Sequence, residues 1–187
     1  SEIPDPLKNI KTIFHLAALA RIQPSFEKPV ETCNVNSHGT LLVCEYARRI
    51  GAKVIYSGSS SFYAGPRLNP YAFSKWNGEE FCKLYSEVYG LKTAVARFFN
   101  VYGPRQPVEG KNATVVGIFQ RQWLSMEPIT ITGDGGQRRD FTHVSDICSG
   151  LVAMANGEHN GDIFNLGREK NYSINELASF FPDSEKA

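Results

Sequence analysis

The chain has 187 residues, 42% of them hydrophobic and 21% charged, with a formal net charge of +1. That length suffices for a domain with a sizeable core, and the near-neutral charge offers no basic surface for nucleic acid or an anionic membrane. No apolar run reaches the roughly 20 residues a membrane-spanning helix needs, and the polar, proline-containing start SEIPDPLKNIK does not read as a signal peptide.

The first apolar run, KTIFHLAA (11–18), ends in small residues and predicts a buried strand. Residues 29–51 predict a helix: Leu41, Leu42, Cys44, Glu45 and Ala47 alternate faces at helical spacing, Arg48 and Arg49 suit the last turn, and Gly51 suits the stop. AKVIYSGS (52–59) reads as a second buried strand. A helix follows Pro70, with Phe73, Trp76, Glu80, Phe81, Leu84, Tyr85 and Val88 at spacings of three and four, and ends at Gly90. LKTAVARFF (91–99) is a third strand. This alternation predicts an α/β fold, a doubly wound, Rossmann-like parallel sheet with crossover helices.

After residue 100 the character changes. The pattern predicts a loop over 100–107, a helix over 113–125, a short strand over 128–132 and a polar loop over 133–146. A helix (147–156), a strand (162–167) and a helix (172–181) capped by the Ser173–Glu176 pattern complete it. The expected division is 1–105 for the sheet domain and 106–187 for a smaller C-terminal substrate-binding subdomain. The widely spaced Cys33, Cys44, Cys82 and Cys148 sit in apolar-periodic segments. They predict buried free thiols in a cytoplasmic, reducing setting rather than a disulfide framework or a zinc site.

Within this frame, NPYAFSKW places Tyr71 and Lys75 on one face of a helix start, just after the strand-end serines Ser59, Ser60 and Ser61. A nearby ammonium favours a phenolate. Working as a base near neutral pH asks tyrosine to move about 3 pH units, roughly 4 kcal/mol. Lysine, a positive cofactor ring and a helix N-terminus together could supply that, while a serine hydroxyl holds an alcohol in line. Such a set suits proton removal from a carbinol as hydride leaves to a nicotinamide. Tyr-x-x-x-Lys alone describes many solvent-facing pairs. The order strand, serines, Tyr, Lys is what favours chemistry, because active-site groups in such sheets gather at the carboxyl ends of strands.

The runs FHLAALARIQPSFEKP, NSHGT, VIYSGSSSFY, PYAFSK, RFFNVYGP and GDGGQRRDFTHVSD together resemble the extended short-chain dehydrogenase/reductases, in their nucleotide-sugar epimerase/dehydratase branch, with most similarity to UDP-glucose 4-epimerase-like enzymes. The resemblance implies NAD as cofactor, with Tyr71 the catalytic base and acid, Lys75 tuning it and holding the nicotinamide ribose, and Ser59 (or Ser60) bonding the reacting hydroxyl. It implies a cofactor path along Ala17, Ala18, Asn36, Ser57, Phe98, Tyr71 and Lys75. Asn100 and Arg139 would bind the sugar diphosphate, which suits an arginine fork. A homodimer through the helices around 30–50 and 71–90 is implied as well.

Plainer readings stand beside these. Arg138 and Arg139 equally describe a solvated loop pair, and Asn36 a tie from helix to loop. His15 reads as a satisfied core histidine and His143 as packing. Asp134, Asp140 and Asp146 read as turn, cap and fold carboxylates without the partners of a metal site.

Three departures from the family follow. No G-x-x-G-x-x-G turn for a pyrophosphate is present, which predicts a fragment with one side of its sheet exposed and weak NAD binding. The Ser59–Tyr71 connection is short, leaving Arg67 and Asn69 near the site. Ser60 and Ser61 stand where dehydrating or decarboxylating relatives carry acids, which favours epimerisation or simple redox over 4,6-dehydration; the leading expectation is NAD-dependent epimerisation of a nucleotide sugar, at C4 of a UDP-hexose. The alternatives are a dehydratase, decarboxylase or reductase of the same family, or an inactive binding piece.

Overall fold

A computed structural model of the chain describes residues 9–182. These residues form two compact units, one comprising the chain to Phe98 together with Cys148–Asn165, the other comprising Phe99–Ile147 and the chain from Leu166. The chain passes between the units three times, at 98/99, 147/148 and 165/166, where the sequence reading placed a single cut after residue 105. Among the described residues no helix is long and apolar enough to cross a membrane.

The first unit carries a four-stranded sheet in the order β1 (Thr12–His15), β2 (Lys53–Ser59), β3 (Thr93–Phe98), β6 (Asn160–Leu166). β1, β2 and β3 are parallel, in the register His15↔Tyr56 and Ser59↔Phe98. Parallel neighbours require crossovers, supplied here by α3 (Gly39–Ile50) and α5 (Pro70–Tyr89). Their inward faces close a core of Cys44, Ala47, Val54, Tyr56, Cys82, Tyr85 and Val95. β1 is the edge strand, and its Phe14 is 43% exposed.

The expected helix over 29–51 is interrupted. α2 (Pro29–Cys33) passes into a π-helical turn, Asn34–His38, before α3. Two short helices went unseen in the sequence, α1 (Ile22–Glu27) and α4 (Ser61–Ala64). Each is too short to show a period.

The second unit is built on a three-stranded sheet, β4 (Asn100–Tyr102), β5 (Arg138–His143) and β7 (Asn171–Ser173), with β4–β5 parallel and β5–β7 antiparallel. Its core joins Phe119 of α6 (Val115–Leu124) to Ile129, Phe141 and the Ile174, Leu177 and Ala178 of α8 (Ile174–Ala178). Here the sequence reading needs correction. The polar loop expected over 133–146 contains β5, whose Arg138 and Arg139 are exposed while Phe141 and Thr142 are buried. The strand expected over 128–132 reduces to an isolated bridge at Ile129, since Gln122 takes the Thr130 N–H that a ladder would use. α8 starts as expected, with Ser173 Oγ accepting from Glu176 N and Glu176 Oε2 accepting from Ser173 N.

Of the thiols, Cys44 and Cys82 are buried, Cys33 is half-buried, and Cys148, expected inside, is exposed. α7 (Val144–Asn156) buries Ile147, Leu151 and Met154, a stripe that leaves Cys148 outside. All four cysteines are free.

Candidate active site

The site begins with how α5 starts. Asn69 adopts an extended backbone and its side chain accepts from Ala72 N at 2.8 Å, while Pro70 occupies the first helical position, where its missing N–H costs nothing. Asn69 is therefore the cap of α5. The orphan Tyr71 N–H donates to buried Ser25 Oγ at 3.1 Å, and Ser25 in turn donates to Ile22 O, so α1 holds the first turn of α5. Gly90, at φ 67°, ends the helix.

From this start, Tyr71, Lys75 and Glu79 recur every four residues along one face. Tyr71 Oη lies 3.5 Å from Ser59 Oγ at the carboxyl end of β2. Lys75 Nζ donates to Ser57 Oγ at 3.3 Å and sits 4.4 Å from the centre of the Tyr56 ring. Lys75 is 3% exposed, and burial lowers its pKa to about 8 while the Glu79 carboxylate pulls the other way. Ser60 N donates to Phe98 O at 2.9 Å, and Ser61 contacts Ser59 Oγ through both its N–H and its hydroxyl. Ser57, Ser59, Ser60, Tyr71, Lys75 and Phe98 are thus one cluster across β2, β3 and α5.

Tyr56 anchors this arrangement from below. Its hydroxyl donates to Lys75 O at 3.2 Å, and the helix comes this close because position 78 is glycine; a Cβ there would collide with the Tyr56 ring.

Asn36 lies in the π turn and is 1% exposed. Its Oδ1 accepts from Leu19 N at 2.8 Å, and its Nδ2 donates to Leu19 O and Ser74 Oγ, each at 3.0 Å. It ties α5 to the segment after β1, which fixes the backbone next to Ala17 and Ala18. Thr40 donates its hydroxyl to Asn36 O, so His15 Nε2, 2.9 Å from Thr40 Oγ1, is the donor of that pair. Burial, then Lys75, lowers the His15 pKa to about 4. It is a neutral, satisfied histidine.

In the second unit, Asn100 pairs with Phe141 across β4 and β5, and its Nδ2 donates to Asp140 O at 3.1 Å. The Arg139 guanidinium is exposed and donates to Arg138 O. Asp134 accepts from Gly136 N, a turn contact, Asp140 from the N–H groups of Arg168 and Glu169, a tie across the fold, and Asp146 from Ser145 Oγ. His143 packs edge-on against Tyr102. Among the described residues no cluster suits a metal ion.

The sequence reading missed a buried ion pair. Arg97 Nη2 is 2.6 Å from Glu79 Oε2 and Nε bonds both carboxylate oxygens. Side-chain exposures are 8% and 2%. A lone arginine in the apolar strand TAVARF, with a glutamate one turn beyond Lys75, was the available signal.

A protein-family model described as NAD dependent epimerase/dehydratase matches residues 2–167. The chain belongs to that epimerase/dehydratase family. It is 33% identical over 189 residues to UDP-glucuronic acid decarboxylase 1 of Arabidopsis thaliana, covering 92% of this chain and 43% of that protein. It is similar to a UDP-N-acetylglucosamine 4-epimerase of Methanobrevibacter ruminantium solved with UDP-N-acetylmuramic acid, at a TM-score of 0.88 and 31% identity over 94% of this chain and 62% of that one. It is also similar to a UDP-glucuronic acid 4-epimerase of Bacillus cereus solved with UDP-glucuronic acid and NAD, at 0.85 and 29% over 97% and 63%. The chain spans about half the length of the curated relatives it matches. For an epimerase/dehydratase cofactor, the residues present fit the nicotinamide end: two single-methyl side chains follow β1, and a buried lysine stands at the end of β2.

Proposed function

We propose that the protein catalyses NAD-dependent epimerisation of a nucleotide sugar, at C4 of a UDP-hexose, through a transient 4-keto sugar. One observation carries the reading: the Tyr71 phenol faces the Ser59 hydroxyl at 3.5 Å, with the buried Lys75 ammonium one helical turn further on. Tyr71 Oη takes the proton of the sugar hydroxyl and later returns it. Lys75, buried one helical turn beyond Tyr71 and bonded to Ser57 Oγ, would hold the nicotinamide ribose. Ser59 holds the reacting oxygen in line between them. NAD, when bound, supplies the acceptor and donor of hydride at that carbon. Ala17, Ala18, Asn36, Ser57, Phe98 and Lys75 would line its path. Asn100 and the exposed guanidinium of Arg139 would grip the diphosphate while the hexose stays free to turn.

The uncharged Ser60 and Ser61 favour epimerisation over elimination, which needs an acid to protonate a departing group. The decarboxylase relative keeps oxidation followed by loss of CO2 as the second reading. Leu42 of α3 and Leu84, Val88 and Tyr89 of α5 are exposed, which supports a homodimer through these helices. The four free cysteines suit the cytoplasm, and the charge of +1 gives nucleic acid no footing.

The test is Tyr71→Phe in the full-length protein with NAD and UDP-galactose. Turnover should fall by about 10²–10⁴-fold, the usual worth of a general base, while UDP-sugar binding by calorimetry stays near wild type. Retained turnover rejects Tyr71 as the base. Release of CO2 from UDP-glucuronate selects the second reading.

A further inference from the structure

Ser61 enters the reading above only as an uncharged side chain, yet it touches Ser59 twice. Its backbone N–H donates to Ser59 Oγ at 3.2 Å, and its hydroxyl lies 2.9 Å from the same atom. A serine hydroxyl offers two acceptor positions and one proton. When Ser61 fills both acceptor positions, the Ser59 proton is all that remains for bonding. Among the described residues, Tyr71 Oη also lies 3.5 Å from Ser59 Oγ.

The turn that carries Ser61 is too short to hold itself. α4 has four residues, and a helix of that length is unfavourable alone. Its anchors are tertiary. The Phe62 ring lies 3.7 Å from Arg97 Cζ. Tyr63 Oη accepts from Arg97 Nη1 at 3.3 Å and donates to Asn165 Oδ1 at 2.8 Å. Arg97 is locked by Glu79, on the same helix face as Tyr71 and Lys75. The buried pair on β3 and α5 therefore sets where α4 begins, and so where Ser61 meets Ser59.

We propose that Ser61 is a positioning residue that fixes the Ser59 hydroxyl as a hydrogen-bond donor toward the reacting oxygen, on a turn secured by the Glu79–Arg97 pair. The proposal rests on the catalytic reading of Ser59 and Tyr71. A preoriented donor needs no rearrangement as charge develops on the sugar oxygen. Its contribution therefore falls on the chemical step and not on substrate binding.

Ser61→Ala removes one of the two bonds and leaves the backbone N–H in place. With NAD and UDP-galactose, kcat should fall about tenfold, short of the about 10²–10³-fold cost of losing a direct donor. KM and the thermal midpoint should not move, and Ser61→Thr should restore kcat. Tyr63→Phe keeps the ion pair and the Phe62 contact but cuts the link to Arg97 and Asn165; it should lower kcat in the same way, more weakly. A wild-type kcat in Ser61→Ala, or a loss that threonine does not restore, overturns the proposal. Should the wild-type protein turn over no nucleotide sugar, the catalytic reading fails, and a crystal structure of Ser61→Ala then decides on the positioning role. A Ser59 side chain rotated away from Tyr71 supports it, and an unmoved one overturns it.

Discussion

Replacing Lys75 with methionine should change the pH dependence of stability in a way no other substitution here would. Burial lowers the lysine from its ordinary 10.5 to about 8. At about 1.4 kcal/mol per pH unit, that difference is worth about 3 kcal/mol. The sign follows from proton counting: between pH 8 and 10.5 the unfolded chain holds a proton the folded chain has released, so wild-type stability rises with pH across that window. The benefit is complete above 10.5 and lost as pH falls through 8. Below 8, the folded protein carries the full cost of a buried ammonium, partly offset by the Ser57 bond and the Tyr56 ring face, each worth about 1 kcal/mol. Lys75→Met should thus be about 1 kcal/mol more stable than wild type at pH 7. Its advantage should shrink and reverse as pH rises toward 10. Urea unfolding of both proteins at pH 7, 8, 9 and 10 measures this, since titrating groups that do not interact with Lys75 cancel in the difference. A difference that stays flat from pH 7 to 10 would mean that Lys75 titrates as in water, and its burial against Ser57 and the Tyr56 ring would be refuted with it.

His15 works at the other end of the scale: with its pKa lowered to about 4, stability is full above about 6.5 and declines as pH falls from there toward 4. His15→Gln should flatten that decline by about 2–3 kcal/mol in acid titrations followed by circular dichroism. Glu79→Gln should cost about 3–5 kcal/mol in urea unfolding, because it strands the Arg97 charge in the interior. Combining Glu79→Leu with Arg97→Met should recover most of that loss, and a double variant as unstable as the single would argue against a stranded charge. Gly78→Ala should destabilise by about 1–3 kcal/mol through its collision with Tyr56, although alanine is the better helix former by about 1 kcal/mol. A thermal midpoint at or above wild type would show that α5 can lift away from β2 at no cost.

The parallel sheet was legible because β1, β2 and β3 stand out as short apolar runs, α3 and α5 carry a helical period, and the glycines at 51 and 90 mark where these two helices stop. Ser59, Tyr71 and Lys75 were legible for a related reason. Their spacing along the chain maps onto one helix face and one strand end, so local geometry alone aims them at a common point. Exposed arginines at the start of β5 hid a strand whose only apolar signal is Phe141. The isolated bridge at Ile129 had the apolar content of a strand and no ladder to join.

By itself, the sequence determined the alternation of strands and long helices and the spacing that puts Tyr71 and Lys75 on one face of α5, but not the face α5 buries: Phe73, Leu84 and Val88, read as its apolar positions, are exposed. Tertiary structure alone decided that Asn36 spends its amide on Leu19, that Glu79 meets Arg97, and that Ser61 closes on Ser59. Periodicity is a property of neighbours a few residues apart. Those pairings of Asn36 and Glu79 span 17 and 18 residues, and Ser61 reaches Ser59 only through a four-residue helix. What fixes all three is the cost of leaving a buried polar group without a partner, which becomes visible only once the chain has folded around it.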